Sequence, residues 1–510
     1  MKRTLDLILL LFIFAVSAIY CAILFGGYEG IGDGNDYAGL ARSIATGRGF
    51  SLGHVYPLGL VFNPDLPQPN NIWAPGYPVY LSVWFILFGA SDTVALAGSV
   101  FAVWLFVVAG YFLGMVMGGR WMARMAAALA GLSQIVLYTT IEGTPEILAA
   151  ATLAFSVLCL IEHPKAWKTI VSGILFGATV LIRYQIIVAA IPLIWIFFHD
   201  NRKLLWLWLA ASALAISPWL ARNLIVFGNP FFTLQSYGEF AKGMGRFDDY
   251  YYAYRSFIPM SLWYVITHFP FDLAKKFVGG LVFFASAFPL RLNFLGLVPL
   301  FLALMKVWQV ELKERKIILF AFYAVVLIMV ISSLDGHHDR HLLPIQGFLI
   351  VSMLIGFKYL ITELGVIKYK AAVVLLGAIL FLPARAPFLE MRLDLIADMA
   401  RAAKPGYAVL AKHVEPEAVV VSDASDAVWW YAERNSIWIP ATYEDLRLLV
   451  ANGRCGYIFL MDHSSFLNSL SEEQFRDFAG LVEPIDSFLG PGALYKVLSS
   501  DGIPDSFAMR

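Results

Sequence analysis

The chain has 510 residues, 59% of them hydrophobic, and its 37 lysines and arginines are balanced by 37 aspartates and glutamates. Only 15% of residues are charged and mean hydropathy is +0.71. A soluble surface needs roughly a quarter of its residues charged, so a water-soluble globule is excluded and a polytopic α-helical membrane protein is expected. Zero net charge and the lack of a Lys/Arg-rich tract argue against nucleic acid as a partner and leave membrane lipids as the immediate surroundings.

The first apolar stretch, 7–25, follows Lys2 and Arg3 and has no small-residue cleavage signature after it, so it reads as a retained membrane helix. A polar loop at 26–93 comes next and holds Gly32-Asp33-Gly34-Asn35-Asp36-Tyr37-Ala38-Gly39-Leu40-Ala41-Arg42. Within it, 77–90 is apolar but short, as is 277–290 further on, and both suit interfacial or re-entrant helices. Spans of membrane length are expected near 94–117, 124–140, 146–161, 169–182, 186–198, 204–219, 293–310, 316–333, 342–360 and 370–385, about eleven crossings with the first. The two spans flanking Arg183 are short enough to form a helical hairpin set into the outer leaflet.

Fifteen lysines and arginines fall in 1–6, 118–124, 162–168, 199–203, 306–316 and 358–370, whereas the short loops 183–185 and 334–341 hold only Arg183 and Arg340. The basic set and the N-terminus are therefore expected in the cytoplasm. Loop 26–93, corner 141–146, loop 220–276 and the chain after 386 are expected outside.

From about Ala386 the charged residues return. Buried strands are expected at 418–423, 436–440 and 456–462, with helical spacing at 427–435 and 443–451. A small α/β domain with a mainly parallel sheet is thus expected over 386–510, after a membrane domain over 1–385. Cys21, Cys159 and Cys455 show no disulfide framework and read as free packing thiols.

Chemistry concentrates on the outer side. A carboxylate at Asp33 or Asp36 is placed to take a proton from an acceptor hydroxyl while a membrane-embedded donor presents its reactive carbon. An N-cap at Asp33 or Asn35 would look the same. The corner Glu142-Gly143-Thr144-Pro145-Glu146 adds two acids, although Thr-Pro-Glu is also a good helix start. Arg183 interrupts an apolar stretch and needs an anion, whether a lipid phosphate or one of Glu142, Glu146 and Asp33. His337, His338, Arg340 and His341 gather in one loop, as ligands or as a solvated turn.

In order and membrane side these pieces resemble the GT-C glycosyltransferases, in the branch of protein O-mannosyltransferases and lipid A aminoarabinose transferases. The likeness is carried by Asp33, Tyr37, Ala38, Ala41 and Arg42 with Gly47, Gly49 and Phe50, and by Trp73-Ala74-Pro75-Gly76-Tyr77-Pro78. Further carriers are Glu146, Ser217 to Asn223 with Phe227-Gly228-Asn229-Pro230, and Arg340-His341-Leu342-Leu343-Pro344. The resemblance spans about 1–385.

It implies sugar transfer, with inversion, from a polyprenyl-phosphate donor to a glycan, lipid or protein acceptor at the outer face of a bacterial inner membrane. Asp33 matches the family's catalytic aspartate and Glu146 its second acid. Relatives often follow the aspartate with glutamate; here Gly34 stands there and Asp36 is the nearest substitute. Trp73-Ala74 stands where some relatives carry a basic residue, which leaves the donor phosphate to Arg183, Arg222 or Arg340. His337, His338, Tyr37, Glu142 and Tyr77 complete the substrate-binding candidates. No motif demands a cofactor, though a divalent metal bridging Asp33 and Glu146 is compatible with hard-cation chemistry.

The competing class is a lipid or glycan transporter or flippase, for which interrupted helices and an intramembrane Arg183 are also expected. A transporter predicts polar sites near the midplane and related halves. A noncatalytic scaffold, in which the same loops only cap helices, is the remaining reading.

Overall fold

The computed structural model describes residues 2–25, 33–162, 165–235, 244, 250–254, 261–291, 296–334, 339–365, 405–461, 463–487 and 492–498. The expected span 370–385 and the pair His337 and His338 lie outside them.

The protein is mainly helical. Helix α1 (Lys2–Phe25) leaves Leu7, Leu11, Phe12, Ile19 and Ile23 exposed, surface that only lipid tails would cover without cost. Its other side packs on Gly131, whose carbonyl accepts from the Ser17 hydroxyl at 2.7 Å. Helix α2 (Asp33–Ala45) follows, then strands β1 (Ser51–Leu52) and β2 (His54–Val55), helix α3 (Pro57–Phe62), strand β3 (Gln68–Pro69) and helix α4 (Gly76–Phe88). At 13 residues α4 is shorter than a bilayer crossing requires.

Helix α5 (Asp92–Gly131) is two helices joined where Gly118 and Gly119 leave helical geometry, Gly119 at φ 69°. Glycines 110, 114 and 118, spaced by four, form one face of this hairpin. A side chain at Gly114 would lie 2.5 Å from the Met122 carbonyl, so the backbones touch through small residues as membrane helices do. At the hairpin's tip Arg124 pairs with Asp6 at 2.7 Å and Arg120 with Asp6 at 3.3 Å. The basic 118–124 turn and the chain start therefore share one end of the molecule.

Helices α6 (Gln134–Ile141), α7 (Glu146–Ile161), α8 (Ala166–Ile182), α9 (Ala190–Phe198) and α10 (Arg202–Phe227) continue the bundle. Gly173 and Gly177 of α8 admit the backbone of α10 at Trp208 and Ser212. Later helices span Leu262–His268, Pro270–Arg291, Leu297–Met305, Leu312–Ser332 and Gln346–Glu363.

Among the described residues five helices are long and apolar enough to cross a membrane, against the eleven crossings expected. Physical breaks account for much of the difference. Among the described residues, expected span 293–310 holds the helix Leu297–Met305, span 124–140 is divided at Ser133, and 186–198 begins as a 3₁₀ turn, Tyr184–Ala189.

The C-terminal residues form a six-stranded sheet with β4 (Val419–Ser422), β5 (Asn435–Trp438), β6 (Tyr457–Leu460), β7 (Val482–Ser487) and β8 (Ala493–Val497), in the order β2-β5-β4-β6-β8-β7. Strands β4, β5 and β6 overlap the three stretches expected, and their pairings are parallel, while β8 and β7 add antiparallel. One strand was not expected. β2 comes from loop 26–93 and pairs parallel with β5, covering an edge that would otherwise expose unpaired amides and carbonyls.

Candidate active site

Two acids sit at helix starts facing two arginines. Asp33 is the first residue of α2 and Glu146 the first of α7, entered through Pro145, whose ring presets a helical φ. Both carboxylates lie where helix dipoles favour negative charge. Arg183 stands where α8 ends, extended at φ −148°. Arg340 lies in the 3₁₀ turn Asp339–Ile345 that leads into the last described membrane helix.

These four residues, far apart in sequence, meet. Arg340 Nη2 donates to Asp33 Oδ2, and its Nε lies 3.6 Å from Glu146 Oε1. The same Glu146 oxygen is 3.3 Å from Arg183 Nη2. Glu146 is fully buried, and its Oε1 makes both ion contacts without an aligned hydrogen bond. Asp33 keeps 29% of its side chain exposed, which makes it the reachable acid of the pair. Glu142, at the same corner, adds negative charge opposite Arg340. Of the anions open to Arg183, the structure pairs it with Glu146.

Asp36 does not share this opening. It is 1% exposed, and its Oδ1 lies 2.6 Å from His54 Nε2 on β2. Burial lifts the Asp36 carboxyl to about 6; His54 opposes the rise, and the charges of Asp426 and Asp33 add to it. Asn35, open to reading as a cap, instead donates from Nδ2 to Asp426 Oδ2 at 3.0 Å.

Tyr37 is buried against Trp73 and Tyr77, with ring centroids at 5.0 and 5.4 Å. Tyr77 shares a 2.8 Å hydrogen bond with Ser99. Both rings thus form the wall behind the acids. Arg222 is engaged elsewhere: it donates to the carbonyls of Asn70 at 2.9 Å and Phe50 at 3.2 Å, and its guanidinium lies 4.8 Å from the Trp219 ring. It anchors the outer loop to α10.

Between Asp33 and Glu146 stands the Arg340 guanidinium, in contact with both carboxylates. Among the described residues no group of three or more His, Cys, Asp and Glu side chains could hold a metal ion. His54 and Asp426 escaped the sequence reading. They reach Asp36 and Asn35 across 18 and 391 positions, and no spacing rule links residues so far apart.

Neither a protein-family model nor a curated protein sequence matches the chain. Solved structures do. ArnT from Cupriavidus metallidurans bound to undecaprenyl phosphate aligns over 96% of this chain and 98% of its own, with TM-score 0.55 and 12% identity. The apo form of that protein gives TM-score 0.56 at 12% identity, covering 98% and 99%. The Archaeoglobus fulgidus oligosaccharyltransferase, solved with Zn and sulfate, gives TM-score 0.58 at 13% identity over 96% of this chain and 74% of its own. Agreement along nearly the whole chain, at identities too low to carry function, identifies the protein as an integral membrane protein with the GT-C fold.

Proposed function

We propose that the protein is a membrane glycosyltransferase that moves a sugar from a polyprenyl-phosphate donor to an acceptor hydroxyl at the extracytoplasmic face, with inversion. The observation that carries this reading is Arg340 shared between a reachable Asp33 and a buried Glu146, with Arg183 on the far side of Glu146. A fixed anion thereby holds two guanidiniums at the end of an apolar bundle, and paired planar donors suit phosphate oxygens.

In the proposed reaction the donor phosphate competes with Asp33 for Arg340. Asp33, relieved of that partner, accepts the acceptor's proton as the new C–O bond forms on the face opposite the phosphate. The anomeric carbon–phosphate oxygen bond breaks, and the charge growing on the phosphate is met by the arginines. Glu146 holds both guanidiniums in place and touches neither reacting atom. The lipid tail would lie along the exposed apolar helices, as the undecaprenyl phosphate bound by the ArnT structure makes reasonable for this fold. Charge gathered at one end of the bundle, rather than at mid-height, favours this over transport.

The test uses the purified full-length protein in lipid nanodiscs with labelled polyprenyl-phosphate sugars. Acceptor-dependent release of polyprenyl phosphate is expected. Transfer of intact donor between leaflets of a vesicle, without release, would overturn the reading in favour of a flippase.

A further inference from the structure

Helix α2 carries Asp33 at its first residue but is only 13 residues long, too short to fix its own direction without tertiary contacts. Its last turn is held from far away in the chain. Arg42 Nη2 donates to the Trp429 carbonyl at 2.6 Å and Nη1 to the Trp430 carbonyl at 2.8 Å. Both carbonyls belong to the π-helical turn Val428–Ala432, which ends at Glu433 with a left-handed φ of 53°. Terminal helix carbonyls lack intrahelical donors and carry partial negative charge, so the guanidinium fork acts as a cap delivered from another element.

The two indoles lock this cap. Their rings lie 5.3 and 4.6 Å from the Arg42 guanidinium. Trp429 fits a slot floored by glycine: a side chain would come within 2.2 Å of its ring at Gly53 and 3.1 Å at Gly39. Nearer Asp33, Asp426 holds Asn35, and His54 on β2 meets Asp36. Across the same turn Trp430 Nε1 donates to Asp92, the first residue of α5, at 2.6 Å, and its ring stacks on Phe85 of α4 at 5.9 Å.

We propose that Arg42, Trp429 and Asp426 are positioning residues: the segment 425–432 of the C-terminal sheet region sets the tilt of α2 and so the placement of Asp33 against the acceptor. For its catalytic readout this rests on the glycosyl-transfer reading. Asp33 lies nine residues from Arg42, about 13 Å along the helix. A rocking of about 5° about the Arg42 end moves Asp33 by about 1 Å, a misplacement that costs on the order of 10²-fold in rate.

The test compares the intact wild-type protein with Arg42→Lys, Arg42→Gln and Asp426→Ala. Arg42→Lys keeps the charge and loses the fork; kcat should fall about 10-fold or more while donor KM stays within about threefold, because Arg183, Arg340 and Glu146 are untouched. Arg42→Gln should fall further, and Asp426→Ala, which removes the acceptor of Asn35, should also lower kcat with donor KM retained. Hydrogen–deuterium exchange should quicken across 33–45 in both Arg42 variants and remain unchanged across 96–117. Wild-type kcat with unchanged exchange in Arg42→Lys would overturn the proposal, as would lost thermal stability with full turnover per folded molecule. If the wild-type protein releases no polyprenyl phosphate, the glycosyl-transfer reading fails by itself, and exchange across 33–45 still decides whether the clasp holds α2.

Discussion

At the scale of single residues, what distinguishes the acids is their company. Asp33 is partly open and bound to Arg340; Asp36 is sealed against His54; Glu146 is sealed between two arginines. Asp33→Asn keeps the shape but cannot take a proton, so turnover should fall on the order of 10²–10⁴-fold with donor binding retained. Wild-type turnover in that variant would reduce Asp33 to a partner for Arg340. Arg183→Lys should weaken binding of both donor and sugar-free polyprenyl phosphate by similar factors, and Arg183→Ala further, since the buried Glu146 would then rely on Arg340 alone. A melting-temperature loss with affinity unchanged would mark Arg183 as purely structural.

Asp36 carries a pH signature. Its folded pKa of about 6 lies above the unfolded value, so the folded protein binds this proton more tightly. The resulting stabilisation is complete below about pH 4 and is lost as pH rises through about 6. Melting curves from pH 4 to 7 should therefore show the wild-type protein losing ground to Asp36→Asn across that window. Parallel pH profiles for the two proteins would show that Asp36 does not titrate there.

At the scale of elements, glycine decides close approaches that hydropathy does not reveal. A side chain at Gly34 would lie 2.3 Å from the Glu142 carbonyl, which explains why this chain does not carry a larger residue after Asp33. Gly34→Ala should push α2 off the 142–143 corner, lowering turnover by about 10-fold or more and stability by about 1–3 kcal/mol. Turnover and melting temperature both unchanged would mean that the corner yields without moving Asp33. The α5 hairpin depends on the same device. Its turn at Gly118 and Gly119 was legible from the basic gap between apolar runs, whereas the close packing of Gly110 and Gly114 against the return helix was not. Strands β4 to β6 were legible because runs such as Val419-Val420-Val421 are apolar and β-branched. The two-residue β2 was not, since a strand so short has no periodicity.

At the scale of the whole molecule, one end gathers Asp6, Arg120 and Arg124, and the other gathers Asp33, Glu146, Arg183, Arg340 and the sheet. By the positive-inside rule we propose that the end bearing the fifteen basic loop residues faces the cytoplasm. Reporters fused after residue 165 or 312 should appear cytoplasmic, and those after 250 or 450 extracytoplasmic. A cytoplasmic signal at 450 would put the acids on the wrong side for a lipid-linked donor presented outside.

The sequence by itself determined that this is a helical membrane protein, because apolar length and scarce charge leave a chain no alternative. It also marked Asp33, Glu146, Arg183 and Arg340, because isolated charges beside apolar runs stand out against their surroundings. Only tertiary structure decided who meets whom. Arg340 reaches Asp33 over 307 positions, and Arg42 reaches Trp429 over 387. Such pairings follow from how helices pack and where backbones can touch, and no local pattern encodes them. The same packing put β2 of the outer loop into the C-terminal sheet, so the segment that bears the candidate base is joined through backbone hydrogen bonds to the far end of the chain.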